Sequence, residues 1–341
     1  MATTAVVGVS TIMDVVNSYS SLDDKAKYIW AAKVLARKCP FFQDMPMKAS
    51  NQIFSNVGAR QSYLPTPGTR RFNEGIAPTA SHSAPYAEGI AMIEDYSEVD
   101  KVLCDIQSNP AAWRQERDAN KLEAMSQKAE DLIIYGSKAT DPAAWDGLAT
   151  RFKVSTNRPN GDTTWPVNVI LAGGSTASTV TSIWLISWGD GKVYGIYPPN
   201  LVAGIKVQDL GEVTVISSDS PLTTPLYMQG YRTFMGLYFG LNIEDERYVQ
   251  RIANHEVSGD VNTFDPRLLV TALNRLPDRG GAVVYANRTV KTQMDIYALD
   301  KSNGFYTQGG DGDIFGRPVT MFQGVPVRLA DMIDDTETVI S

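Results

Sequence analysis

Histidine and cysteine are almost missing from this chain of 341 residues, which has two of each: His82, His255, Cys39 and Cys104. Two cysteines build neither a disulfide framework nor a zinc cluster of common spacing, so reduced thiols in the core are expected. Two histidines supply a His-based triad or metal site poorly. His255-Glu256 is followed by Val, Ser and Gly, without the second histidine that a zinc protease helix needs. Each histidine is therefore expected to be structural or solvated. Long apolar runs are absent as well: nowhere do about 18 apolar residues follow one another, and Met1 to Val9 carries no basic start ahead of an apolar stretch. Nothing in the sequence directs the chain to export or to a bilayer, and Asn287-Arg-Thr289 then reads as a chance glycosylation match.

Charge is also scarce. Charged residues make up 20% of the chain, below the roughly one quarter typical of soluble domains, which fits a subunit that buries much of its surface against copies of itself. The net charge of -7 and pI near 5.0 leave no global basic field to grip nucleic acid by counterion release, which argues against a sequence-specific DNA binder. Gly189-Asp-Gly-Lys192 lacks the first glycine and the hydroxyl of a phosphate-binding loop, and the dinucleotide fingerprint is missing too. Gly309-Gly-Asp-Gly-Asp313 offers two carboxylates but no third ligand and no Glu at the twelfth position, so a polar turn is expected rather than a calcium loop. Asp331, Asp334, Asp335 and Glu337 cannot be paired into an acid/base dyad from sequence. No catalytic residue, metal site or cofactor is expected.

What the chain does contain is one long helix set among strands. Ile12 to Tyr19 and Ser21 to Lys38 read as short helices, the second capped by Ser21 and ended by Cys39-Pro40. From about Ala49 to Gln107 the chain is punctuated by Gly58, Pro65, Pro67, Gly68, Gly75, Pro78, Pro85 and Gly89, a long irregular stretch for one compact domain. Asn109-Pro110 then opens the clearest helix. Leu122, Met125, Ala129, Leu132, Ile133 and Gly136 form its stripe, while Arg114, Lys121, Lys128 and Glu130 populate the rest. About 27 residues at 1.5 Å each give roughly 40 Å. From Trp165 to Asn254 the chain reads as strands and turns. Ile183 to Trp188 and Val193 to Tyr197 predict a hairpin around Gly189-Asp-Gly191, and the aromatics from Tyr227 to Phe239 are expected to pack in a strand. Asp265 caps a helix with Leu268, Leu269, Ala272, Leu273 and Leu276 on one face, stopped by Pro277; a strand over Ala282 to Tyr285 and a helix over Thr289 to Leu299 follow. A last hairpin is signalled at Gln323-Gly324.

Several of these stretches carry a family pattern. The apolar strand ending in Trp188-Gly189 is followed by a strand ending in Tyr197-Pro198. A glycine-bounded turn, Gly204 to Gly211 with Asp209-Leu-Gly211, leads to the strand Arg247-Tyr-Val-Gln-Arg-Ile-Ala-Asn254. Asp146-Gly-Leu148 after the long helix and Gly324-Val-Pro-Val-Arg328 with Asp331 belong to the same pattern. Together they resemble the major capsid proteins of tailed bacteriophages, with the strand-rich part expected to begin at the Gly147-Leu148 pair.

The resemblance implies an α+β, HK97-like capsid fold with an N-terminal arm, an extended loop, a long spine helix, a strand-rich peripheral (P) domain and a smaller α/β axial (A) lobe. The expected partition is arm 1–48, extended loop (E-loop) 49–108, peripheral domain 109–262 with the spine helix at 110–136, and axial-type lobe 263–341. It implies a subunit of an icosahedral head that self-assembles into pentamers and hexamers around double-stranded DNA, contacted non-specifically. Its further partners would be a scaffolding protein, a portal and a cement protein, with assembly in the bacterial host cytoplasm and residence in the virion. Within the loop, Arg60, Arg70 and Arg71 lie on the outgoing limb and Glu88, Glu94, Asp95, Glu98, Asp100 and Asp105 on the returning one. Arg60, Arg70, Arg71, Glu88, Glu94 and Asp95 are the candidate intersubunit contacts, with Arg70 and Arg71 placed near the tip between Gly68 and Gly75. The alternatives are a β-rich virion decoration or tail protein, which would lack the spine helix, and a metabolic enzyme, which would offer a coherent chemical site.

Overall fold

The computed structural model describes residues 11–18, 25–156, 158–159, 165–216, 226–259, 261–299 and 321–341. The Ser21 cap, the Gly309–Asp313 turn and the Met1–Val9 start lie outside the described residues.

The long helix forms where its sequence signals place it. Helix α5 runs Pro110–Tyr135 after α1 (Ile12–Ser18), α2 (Lys25–Lys38), α3 (Phe41–Asp44) and α4 (Lys101–Asp105). The Asn109 side chain accepts from the Ala112 amide at 3.2 Å, a cap of the kind that contributes about 1 kcal/mol. Its buried face is Leu122, Met125, Ser126, Ala129, Glu130, Leu132, Ile133 and Ile134. Glu130 departs from the expected polar face: only 2% exposed, it accepts from the Met332 amide at 3.3 Å.

Two sheets pack on this helix and on each other. The first has five strands: β1 (Met47–Ala49), β4 (Ala91–Asp100), β7 (Val193–Tyr197), β8 (Ile205–Ile216) and β9 (Tyr227–Ile243). β9 is its spine, antiparallel to β4, β7 and β8, and it is buried from Thr233 to Ile243, so Phe234, Tyr238 and Phe239 are packing groups, as expected, whereas Tyr227 at its start is exposed. The second sheet has six strands in the order β12-β13-β11-β6-β10-β5, where β5 is Val169–Leu171, β6 Val180–Ser187, β10 Val249–Glu256, β11 Ala282–Ala286, β12 Met321–Phe322 and β13 Val325–Leu329. The short segment Leu148–Arg151 forms α6; α7 is Pro266–Arg275 and α8 Arg288–Leu299. The remaining strands, β2 (Ser55–Tyr63) and β3 (His82–Gly89), pair only with each other in an antiparallel ribbon.

The second sheet is covered on both faces, and the alternation of its strands shows how. Ile183, Leu185, Ile252 and Val284 face α7 and α8 with Leu269, Leu273, Val290 and Met294. Trp184, Ile186, Ala253, Val283 and Tyr285 face the larger core with α5, Phe41 and Phe152.

Three local expectations change. The predicted hairpin at 183–197 does not form, because β6 enters the six-stranded sheet and β7 the five-stranded one. The turn around Gly191, whose φ is +70°, instead carries the chain from one sheet to the other. Asp209-Leu-Gly211 is not a turn but a bulge inside β8, where the register with β9 slips between Asp209 and Gly211. Leu148 opens a helical turn rather than a strand. The hairpin at Gln323-Gly324 does form, with φ of +48° and +82° at its two central residues, the left-handed pair a tight β-hairpin requires.

Candidate assembly surfaces

Among the described residues the longest exposed stretch belongs to the ribbon. Its two strands are joined by residues 64–81, all of them exposed. Phe72 at the tip is 100% exposed and Ile76 54%. The prolines and glycines that punctuate the sequence here deny the segment both a ladder and a helix. The returning limb is shorter than expected: it ends at Gly89, and Glu94, Asp95, Glu98 and Asp100 lie in β4, inside the five-stranded sheet.

At its base the ribbon is held by buried charge. Glu88 accepts from Arg60 at 2.6 Å and from Arg151 at 2.6 Å, the latter a bidentate pair. The Glu88 side chain is 5% exposed and the two guanidiniums 15% and 16%. Burial alone would raise the Glu88 pKa, but the hydrogen bond and charge of Arg151, with those of Arg60, outweigh it and hold the group below the usual carboxylate range. Arg60 also donates to the Ile243 carbonyl at 2.8 Å, and the Asn56 amide donates to Asn242 at 3.2 Å. The ribbon is thus fastened to the end of β9.

Four of the six candidate contact residues are engaged inside the subunit. Arg60 and Glu88 pair with each other, Asp95 pairs with Lys121 at 3.0 Å, and Glu94 accepts from the Tyr238 hydroxyl. Burial and strand pairing, neither visible in the residue types, bring these partners together. Arg70 and Arg71 have no ion pair and no partner outside the loop among the described residues; Arg70 donates to the Glu74 carbonyl at 3.2 Å, and the Arg71 amide to the Glu74 carboxylate at 3.0 Å.

The residues of the family pattern are fasteners of the body. Arg251 and Glu337, each 5% exposed, pair at 2.9 Å. Glu337 also accepts from Tyr135 at the end of α5 at 2.6 Å and from Ser182, while Arg251 donates to the Phe152 carbonyl at 2.8 Å. Asn254, with φ of +61°, exchanges two hydrogen bonds with the Ile340 backbone at 2.8 and 2.9 Å. The Trp188 indole donates to the Tyr285 hydroxyl at 2.7 Å, Tyr285 to Asp44 at 3.1 Å, and Asp44 pairs with Arg328 at 2.9 Å. This last chain of bonds joins α3, the residue that follows β6, β11 and β13. Sequence reading had no signal for it, because the partners are up to 284 residues apart.

The groups weighed for chemistry have structural tasks. Lys192 pairs with Asp278 at 2.8 Å and donates to the Gly280 carbonyl. His255 is fully buried, and burial pushes its pKa down to about 4, so it is neutral near pH 7. Asn287 is 3% exposed and caps α8 by accepting from Val290 at 2.9 Å. Asp331 pairs with Arg288 at 2.9 Å, and Asp335 accepts from Thr289 at 2.8 Å. Among the described residues no group of three His, Cys, Asp or Glu could hold a metal ion, and no helix is long and apolar enough to cross a membrane.

Comparison with known proteins supplies the context for this architecture. A family model described as major capsid protein GP7 matches residues 23–341. A chain of the bacteriophage Epsilon15 structure is similar over 87% of this chain and 88% of that one, at 23% identity and a TM-score of 0.64, which shows a shared fold. A chain of the bacteriophage JBD30 capsid covers 93% of this chain and 97% of its own at 10% identity, with a TM-score of 0.46. No curated protein sequence matches the chain. With the family model spanning most of its length, the chain belongs to the major capsid protein GP7 family and is a major structural subunit of an icosahedral bacteriophage head with the HK97-like fold.

Proposed function

We propose that the subunits form pentamers and hexamers in which the ribbon of each lies over its neighbour, and that the closed shell holds double-stranded DNA through non-specific contact. The observation that carries this reading is the exposed ribbon, fixed at its base by the Glu88 cluster while residues 64–81 are exposed throughout. A projecting arm on a rigid base suits a lattice in which one surface must meet its partner in slightly different settings. We assign residues 1–48 to an arm, the ribbon to the E-loop, α5 with the five-stranded sheet to a peripheral domain, and the six-stranded sheet with α7 and α8 to an axial lobe. This replaces the division at residue 262, since β6 and β10 share their sheet with β11 and β13. Scaffolding protein, portal and cement protein are the further partners, assembly takes place in the host cytoplasm, and the subunit works without catalysis. Joining Tyr63 to His82 through Asn-Gly in place of residues 64–81 is the direct test. The expected product is a folded subunit that fails to close shells in electron micrographs; normal shells would sink the reading.

A further inference from the structure

A second exposed apolar surface lies at the opposite end of β4 from the ribbon. Helix α4 buries Cys104 but exposes Val102 by 63% and Leu103 by 54%, and Ile106 just after it is 72% exposed. Three large apolar side chains turned to water on one short helix and the residue that ends it mark a contact surface rather than ordinary scatter. Asp100 and Asp105 flank them, and among the described residues neither forms an ion pair, whereas Lys101 between them is matched by Glu212 at 2.7 Å. The surface is therefore apolar with Asp100 and Asp105 on its margin; Arg117 and Lys121 line the groove beside Asp100 and Leu103, Lys121 being matched by Asp95. The ribbon tip is its complement: Phe72 and Ile76 are exposed beside Arg70 and Arg71, which form no ion pair among the described residues, against the single acid Glu74.

The two surfaces cannot meet within one chain. β4 alone puts about 33 Å between α4 and Gly89, from ten residues at ~3.3 Å each. The ribbon then continues beyond Gly89, where Arg60 reaches Ile243 past the end of the β4 pairing. Complementary surfaces at opposite ends of one subunit make a head-to-tail contact, the kind that closes into rings when the rotation allows. Resting on the reading of the ribbon as an intersubunit arm, we propose that its occupant on the neighbour is the α4 surface: Phe72 and Ile76 of one copy seat on Val102, Leu103 and Ile106 of the next, with Arg70 and Arg71 facing Asp100 and Asp105.

The test replaces Phe72 by the photoreactive p-benzoylphenylalanine, an aromatic substitution at a fully exposed site, in shells assembled from a mixture of 15N-labelled and unlabelled full-length subunits. Irradiation is expected to give mixed-isotope crosslinks to residues 102–106. Mixed-isotope crosslinks to another part of the chain would overturn the docking site while leaving the ribbon as an intersubunit arm. Crosslinks confined to one isotope, or to another protein, would overturn both. A second arm exchanges charge. A surface ion pair changes one contact by about fivefold at most, and the contact recurs at every junction. Arg71→Glu and Asp105→Arg alone should therefore each lower particle yield by at least about tenfold, and together restore it to within about twofold. Full yield from both single variants, or no recovery in the double variant, would remove the charge component of the proposal.

Discussion

Glu88 shows how little of a residue's role its type reveals. In the sequence it is one of several acids after a loop; in the structure two arginines far apart in the chain, Arg60 and Arg151, converge on it in a nearly dry site. Removing one partner from a buried ionic cluster leaves charge without compensation, which costs about 3–5 kcal/mol. Glu88→Ala is expected to destabilise the subunit by that order in urea denaturation, and to lower shell yield through loss of the ribbon's direction. Because its folded-state pKa is depressed, the Glu88 contribution is fully present above the unfolded carboxylate value, and it is lost as pH falls through the folded one. Wild type and Glu88→Ala should therefore converge in stability on acidification below about pH 4; a constant difference down to pH 2 would refute this. Arg251 and Asn254 teach the same lesson. Both were legible as members of a pattern, but their partners, Glu337 and Ile340, follow only from the fold.

At the scale of elements, the sequence was most readable where the signal is local. Asn109-Pro110 and the apolar stripe define α5, Asp265-Pro266 defines α7, and Gln323-Gly324 defines the last hairpin. Strand partners were not readable, because a strand of suitable residues pairs wherever tertiary packing sends it; β6 and β7 adjoin in sequence and part in space. Glu130 marks the limit of reading a helix by charge. Desolvation raises its pKa to about 7, so the folded state holds a proton that the unfolded chain releases near pH 4.5. Stability tied to Glu130 is thus full below about pH 4.5, falls as pH rises toward 7, and stays reduced above it. Glu130→Gln keeps an acceptor for the Met332 amide and removes the ionisation. It should raise stability at pH 8 by on the order of 2–3 kcal/mol and leave it unchanged at pH 4. Equal stabilities at the two pH values in thermal unfolding would show that the carboxyl is solvated in the folded subunit.

At the scale of the whole molecule, the six-stranded sheet decides how the subunit behaves. Its strands come from both sides of residue 262, the division expected from the family resemblance, and its two faces feed two different cores, one with α7 and α8 and one with α5. On β6, Trp184 and Leu185 point to opposite cores from adjacent positions, so neither core can loosen without exposing the strand that closes the other. The prediction is a single unfolding transition for the unassembled subunit. Leu185 is 0% exposed and belongs to the α7 and α8 core, whereas Trp145, Trp184 and Trp188 all lie in the other. Leu185→Ala should cost about 2–5 kcal/mol and move the fluorescence transition, reported by tryptophans across the sheet, by the same amount as the helix signal in circular dichroism. If the fluorescence midpoint stayed put while the helix signal shifted, the two cores would be independent units. The body would then lack the rigidity that a ribbon, projecting about 27 Å from its eight-residue strand β3, needs at its base to find the same place on every neighbour.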